Sequence, residues 1–455
     1  MAVAITVFTR DLRVHDNPVL SAAVAGADQV IPLFVLDQHM LDSGFVSPNR
    51  AAFLAESLAN LDRRLHRLGA GLVVRRGTVA DVVADLVAEH GVGDVHVAAD
   101  VTGYAQRREE ALRSRLSDSG AALHVHDAVT TVVPPGAVTP SGGGDHFAVF
   151  TPYLRHWTCA ERRSVLPPPA RVATPRVSGD PMPRADDLGP GPRAPSLPPG
   201  GETAAREGMT AWGGASVRHY GRLQDDLAAD GTSRLSPYLH FGCLSPTELV
   251  ASVGRGSDGA EAFVRQVAWR DFHHQVLAAR PACSQADYRS RGDRWRTSDE
   301  DFDCWRRGRT GYPVVDAGMR QLEQEGWMHN RARLIVASFL TKTLYVDWRW
   351  GARHFMDMLV DGDIANNQMN WQWVAGTGTD TRPQRVLNPL AQALRYDPTG
   401  EYVRQYVPEL ADVPGAAVHR PWTLPAEQRK QLDYPEPMVD LDEGRDRFLR
   451  ARGKR

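Results

Sequence analysis

Five short runs of β-branched and other apolar residues crowd into the first 126 positions, and strand signals fade beyond them. Val3 to Phe8, Val30 to Leu36, Gly71 to Arg75, Val95 to Ala98 and Leu123 to His126 each read as a strand. Helical patterns separate them. In the clearest, Phe53, Leu54, Leu58, Leu61, Leu65 and Leu68 fall three and four apart and give one apolar face. Strand–helix alternation predicts an α/β N-terminal domain over 1–131, Rossmann-like, its parallel sheet covered on both faces. Thr9-Arg10-Asp11-Leu12-Arg13 follows the first strand, where an ordinary dinucleotide site would carry a GxGxxG loop.

Residues 132–202 read as a connector, punctuated by Pro134-Pro135-Gly136, Ser141-Gly142-Gly143-Gly144, Pro167-Pro168-Pro169 and Pro198-Pro199-Gly200. One ordered island, Phe147 to Trp157, interrupts it. From 203 to 455 long helical patterns dominate, as in Glu261 to Ala279 and His329 to Val346, and predict an all-α domain. A length of 455 residues exceeds what one core usually holds, which agrees with two or more domains. The net charge of −2 confines any nucleic-acid surface to a local patch. The four cysteines form no CxxC pair, so neither a disulfide framework nor a cysteine zinc site is expected, and a cytoplasmic setting fits. Met1 to Thr9 lacks the pattern of a signal peptide, and no run of about 18 apolar residues predicts a membrane span.

Chemistry concentrates in five stretches of the helical part. In Gly231-Thr232-Ser233-Arg234-Leu235-Ser236-Pro237, hydroxyls that suit a helix N-cap, a proline that suits its first turn and an arginine together favour an anion. In Trp269-Arg270-Asp271-Phe272-His273-His274, adjacent histidines on a helix point about 100° apart, which disfavours a metal. In Trp327-Met328-His329-Asn330-Arg331-Ala332-Arg333, Asn330 and Arg333 share a helical face and Arg331 points away from it. Asp361-Gly362-Asp363-Ile364-Ala365-Asn366-Asn367-Gln368-Met369-Asn370-Trp371-Gln372-Trp373 lacks the later ligands of a calcium loop. Its amides, acids and indoles suit a flat heteroaromatic ligand instead. Gly376-Thr377-Gly378-Thr379-Asp380 is a turn fit to cover one. No metal site is expected.

In this order and spacing the five stretches resemble the FAD domain of the photolyase/cryptochrome family, most closely microbial class I cyclobutane pyrimidine dimer DNA photolyases. Arg10-Asp11-Leu12-Arg13-Val14-His15-Asp16 and Phe147-Ala148-Val149-Phe150-Thr151-Pro152 resemble family signatures as well, so the likeness covers nearly the whole chain. It implies one FAD per chain, folded into a U inside the helical domain and active when reduced. Tyr220, Thr232, Ser233, Arg234, Leu235 and Ser236 match the positions around the phosphates and ribityl chain. Arg270, Asn330, Arg333, Asp361, Asp363 and Asn367 match those around flavin and adenine, with Asn367 facing flavin N5 and Arg333–Asp361 a charge pair beside the ring.

The likeness further implies light-dependent DNA repair. Excited reduced FAD passes one electron to a flipped-out cyclobutane pyrimidine dimer, which splits and returns it. Trp269 and Trp373 match the aromatic walls that grip the dimer. Asn330 and Leu334 match positions beside it, and Arg331 and Arg385 are candidates for phosphate contacts. Trp371, Trp348 and Trp295 match a relay of three tryptophans from flavin to surface, leaving Trp305 and Trp350 as packing residues. Two positions depart from the common pattern: Gln266 stands where a Glu faces the dimer, and Leu334 where a Met is usual. Glutamine donates a hydrogen bond to a thymine carbonyl but supplies no titratable proton. The alternatives are a (6-4) photolyase, whose two histidines would fall at Asn330 and Leu334, and a cryptochrome-type blue-light receptor. An antenna chromophore is expected at the N-terminal domain near Arg10, Asp37, Asp100 and Tyr104, with 8-hydroxy-5-deazaflavin favoured over folate. The partner is DNA containing pyrimidine dimers, with no membrane, and the chain is expected to be a monomer.

Overall fold

The computed structural model describes residues 1–254 and 256–453. The five β-branched runs form parallel strands β1 (Val3–Val7), β2 (Gln29–Asp37), β3 (Val73–Gly77), β4 (Asp94–Ala98) and β5 (Ala122–His126), in the order β3-β2-β1-β4-β5. Every residue of β1 is buried, as a strand covered on both faces requires, so it reads as an unbroken apolar run. Ile5 lies between Ile31 and Val95 in the register. Strand order reverses at β1, whose neighbours are β2 and β4. A crevice therefore opens above the carboxyl ends of β1 and β4, where Arg10 and Asp100 follow.

Nine further elements position the site. They are α1 (Pro48–Arg67), α2 (Phe150–Cys159), α3 (Ser236–Phe241), α4 (Asp258–Ala279), α5 (Pro313–Glu325), α6 (Asn330–Ser338), α7 (Trp348–Met358), α8 (Ile364–Ala375) and α9 (Leu441–Ala451). Helix α1 buries Phe53, Leu54, Leu58, Leu61 and Leu65. Phe53 stacks on Phe241 at 4.9 Å between centroids, so one apolar core runs from the sheet into the helical part. Gly242, at φ +67, seals this junction: a Cβ there would lie 1.9 Å from the Arg10 carbonyl, a contact only glycine permits. Among the described residues no helix is long and apolar enough to cross a membrane.

The proline-rich connector is more ordered than its composition suggests. Its island becomes α2, whose Trp157 donates its indole N–H to Asp271 on α4 at 2.9 Å. The backbone N–H groups of Val132 and Val133 donate to the same carboxylate at 2.9 and 3.0 Å. Burial pushes the Asp271 carboxyl up to about 6. Further on, Val172 N–H donates to Leu68 at 2.7 Å and Ser196 N–H to Gln324 at 2.9 Å.

Two local expectations are corrected. Thr232 and Ser233 do not cap a helix: α3 begins at Ser236, and its preceding residue Leu235 makes no side-chain cap. Arg234 takes φ +50 and turns the chain before Pro237 allows the helix to start. The helix expected from His329 to Val346 stops at Ser338, continues as one π turn over Phe339–Thr343, and ends before Tyr345 at φ +58.

Candidate active site

Helix α6, helix α7, the turn at 361–363 and helix α8 enclose one cavity. It is lined by Asn330, Arg333, Leu334, Asp361, Asp363, Asn367 and Trp371. Seven residues singled out in the sequence thus meet on one surface. Asn366 and Asn370, part of the same amide-rich stretch but not singled out in it, also line the cavity, as do Phe355 and Val374, which no motif marks. Period 3.6 explains the set on α8: 363, 366, 367, 370, 371 and 374 follow i, i+3, i+4 spacing along one face.

Polar groups in the cavity are held from outside. One Arg333 Nη donates to both Asp361 oxygens at 3.1 and 2.8 Å, while Nε donates to the Met328 carbonyl at 2.8 Å. Asp361 is nearly inaccessible, its side chain 4% exposed against 24% for Arg333. Asn367 donates to the Ala352 carbonyl at 2.9 Å, which spends one of its two amide N–H groups. His273 donates from Nδ1 to Asn366 at 3.1 Å, and Asn366 donates to Asp363 at 2.7 Å. Burial takes His240, His273 and His274 each down to about 4, so all three are neutral at pH 7. Among the described residues no group of three ligating side chains could hold a metal.

Asp363 does two jobs. Its Oδ1 accepts from Asn366 N–H and caps α8 at 2.8 Å, and its other oxygen accepts from Arg10 at 2.5 Å. Burial opposes its ionisation, but His274 and Arg10 outweigh that and hold it well below the usual carboxylate range. Arg270 adds to this. Arg10 also pairs with Asp100 at 3.1 Å and donates to the His240 carbonyl at 3.0 Å. Burial likewise opposes ionisation of Asp100, and Arg10 with the Thr102 N–H keeps its pKa low. This bridge between the sheet and the cavity gave no signal of its own in the sequence.

Arg10, Asp100 and Tyr104 line a second, larger cleft of about 1260 Å³, shared with His240, Trp348 and Arg349 of the helical part. Asp37 stands behind it and accepts the Tyr104 hydroxyl at 2.6 Å. Burial and that carboxylate keep Tyr104 protonated.

Other singled-out residues lie outside both linings. Tyr220 is packed edge-on against Trp212 and Phe263 at 5.6 and 5.4 Å. Arg270, half-buried, donates to the carbonyls of Thr130 and Leu239. Leu235 is buried in the core, and the Ser233 hydroxyl accepts from its N–H at 3.4 Å. Ser236 accepts the Trp327 indole N–H at 3.1 Å. Arg234 is already committed, to Asp230 at 2.6 Å and Glu325 at 2.7 Å, and it lies over Trp327 at 4.4 Å. Those carboxylates spend its Nε–H and one Nη1–H of the five guanidinium donors. Arg331 is likewise paired with Asp225 at 2.8 Å and stacked over Tyr396, so it is not a free cation. Arg385 is exposed.

Trp269 stacks flat on Phe150 at 3.7 Å and 8°, which gives one of its faces a fixed backing. Trp373 is half-buried. Gln266 approaches Gln224 at 3.5 Å. Trp371 and Trp348 are buried, Trp348 donating to Asp287 at 2.9 Å, and Trp295 is half-buried against Tyr345 at 4.9 Å. The ring contacts of Trp371 among the described residues are Phe355 at 4.9 Å and Trp305 at 6.0 Å. Trp305, read as a packing residue, therefore touches the indole nearest the cavity.

The cavity residues fit a flavin nucleotide. Amides that both donate and accept suit the edge of a heteroaromatic ring, and Arg333 suits an anionic one. The Thr232 hydroxyl, on the turn before α3, is buried without a protein partner, as a ligand oxygen would explain.

Comparisons with known proteins agree. Residues 4–173 match the DNA photolyase family, and residues 263–454 match the FAD binding domain of DNA photolyase. A deoxyribodipyrimidine photo-lyase from Streptomyces griseus is 57% identical over 458 residues, covering 100% of both chains. A bacterial class III photolyase from Agrobacterium tumefaciens superposes with a TM-score of 0.92 at 32% identity, covering 100% of this chain and 97% of the other. An archaeal photolyase from Sulfolobus tokodaii, solved with two FAD molecules, gives 0.84 at 30% identity with full coverage of both chains.

Proposed function

The chain belongs to the DNA photolyase family, and on that premise we propose that it repairs cyclobutane pyrimidine dimers in DNA by light-driven electron transfer from FAD. The observation that carries this is the single cavity joining Asn330, Arg333, Asp361, Asn367 and Trp371, set in a chain matched end to end by a photo-lyase. What bound reduced FAD supplies is one photoexcited electron, which returns once the two carbon–carbon bonds of the cyclobutane ring have opened. The protein's share is geometry and electrostatics. Arg333, fixed by Asp361, keeps positive charge beside the ring, and Asn367 offers an amide to its central edge. Trp269, backed by Phe150, and Trp373 are the walls for a flipped dimer. Illuminating the reduced protein with dimer-containing DNA tests the reading directly. Restored thymines are expected, and none would overturn it. A (6-4) lesion is not expected to be repaired, because Asn330 and Leu334 occupy the positions that would carry histidines.

Gln266 sets the next test. As a neutral donor to a thymine carbonyl it should support repair, and Gln266→Ala should cost about 1–3 kcal/mol in dimer affinity, the usual penalty for an unpaired buried polar group. Gln266→Glu should make repair pH-dependent. Its carboxyl would have a raised pKa in a desolvated site, and would donate only below that value. Dimer binding and single-turnover repair by the alanine variant equal to wild type would remove Gln266 from the lesion pocket.

The larger cleft is read as the antenna site, with 8-hydroxy-5-deazaflavin its occupant. Its position above the carboxyl ends of β1 and β4 is where open α/β sheets bind ligands, and Tyr104 and Arg10 offer an aromatic ring and a charge. Mass spectrometry of chromophores extracted from protein made in a deazaflavin-producing host decides it. A second FAD, as in the archaeal structure, or a folate would be the contrary result.

A further inference from the structure

Lys342 lies on the π turn that follows α6, 2% exposed, and among the described residues it forms no ion pair within 4 Å. Its ammonium donates to the backbone carbonyl of Arg385 at 2.6 Å. Burial drives its pKa down to about 7, with Asp380 and Asp293 opposing that and Arg452 and Arg385 adding to it. A buried lysine without a carboxylate is costly, and methionine would fill the same volume more cheaply. The residue is therefore explained by what it holds.

What it holds is one end of the loop 376–388. The other end is held by Arg452, just past α9, which donates to the Ala375 carbonyl at 3.0 Å. Both cations lie over one ring, Phe448 of α9, at 5.4 Å for Lys342 and 5.2 Å for Arg452. Arg452 is neutralised by Asp293 at 2.5 Å, which also accepts the Tyr345 hydroxyl at 3.0 Å. Between the anchors the chain makes a tight turn, Arg385 N–H donating to the Arg382 carbonyl at 3.0 Å. Both arginine side chains at its ends are exposed. Leu387 N–H donates to the Ser338 hydroxyl at 3.1 Å and closes the loop against α6.

We propose that Lys342 and Arg452, seated together on Phe448, are positioning residues that clamp the 376–388 loop so that Arg382 and Arg385 meet the DNA backbone as a pair. Helix α9 is thereby part of the DNA-binding machinery although it lines neither cavity. The inference rests on reading this loop as a DNA contact, which is part of the proposed repair function.

The test uses FAD-loaded full-length protein and an oligonucleotide carrying one thymine dimer. Each phosphate contact on duplex DNA contributes a slope of about −0.9 in log K against log salt. Lys342→Met is expected to keep its flavin and its photoreduction, to lose close to two such contacts from the slope, and to be cut faster by trypsin after Arg385, the bond after Arg382 being shielded by Pro383. Lys342→Arg should restore both readouts, and Arg382→Ala/Arg385→Ala should cost nothing further in the Lys342→Met background. Wild-type cleavage and slope in Lys342→Met would overturn the clamp. If Arg382→Ala/Arg385→Ala leaves the slope of the otherwise wild-type protein unchanged, the loop is not a DNA contact. The clamp itself then stands on faster loop cleavage in Lys342→Met and falls without it.

Discussion

Replacing Asp361 by alanine is expected to yield protein purified without flavin. The carboxylate accepts two contacts from one Arg333 nitrogen and is nearly sealed from water. Without it the guanidinium faces the cavity uncompensated, and removing one partner of such a pair costs on the order of 3–5 kcal/mol. At about 1.4 kcal/mol per tenfold, that weakens flavin binding by more than a hundredfold. Loss by general unfolding is distinguishable, because the α/β half and its core make no use of this pair; circular dichroism and the melting transition report it. Asp361→Asn keeps an oxygen acceptor and should fall between the two. An alanine variant that retains one FAD per chain at wild-type affinity would show that the pair does not border the flavin.

β1, β2 and β4 were legible because a strand buried on both faces leaves no polar alternation to confuse its pattern, and the partly exposed edge strands β3 and β5 by their short β-branched or alternating runs. β1 to β5 lie within two residues of the runs that announced them. The cavity face of α8 was legible as a cluster of amides, acids and indoles, and its periodicity accounts for Asn366 and Asn370 once the face is known. Other features depend on contacts between distant residues. Arg10 and Asp363 are 353 residues apart, and no local spacing announces their bond. The π turn at 339–343 reads as ordinary helix in the sequence, and Lys342 finds its partner 43 residues later. The connector looked loose because its prolines and glycines punctuate it, yet Asp271 draws in Val132, Val133 and Trp157 from across the fold. Composition describes a segment's own propensity; it is silent on a buried carboxylate elsewhere that satisfies the segment's N–H groups.

Trp371→Phe is expected to abolish light-driven reduction of oxidised FAD while leaving repair by chemically reduced protein intact. Phenylalanine keeps most of the packing that Trp371 makes with Phe355 and Trp305, so the cavity wall survives. It removes the oxidisable indole, and repair itself draws its electron from flavin already reduced. Trp371 is the indole in the cavity lining, which makes it the common first step of any route outward. Beyond it two routes separate. The family resemblance points through Trp348 to Trp295, whereas the ring contact of Trp371 is with Trp305, which stacks on Phe302 at 5.6 Å, itself edge-on to Trp350 at 5.3 Å. Trp348→Phe should slow photoreduction if the electron arrives through the first route, and Trp305→Phe if it arrives through the second. Transient absorption after a flash, with each variant loaded with oxidised FAD, separates them by which substitution shortens the lifetime of the reduced flavin, because a hole stranded on Trp371 recombines with it faster. Photoreduction at the wild-type rate in Trp371→Phe would show that neither route begins there.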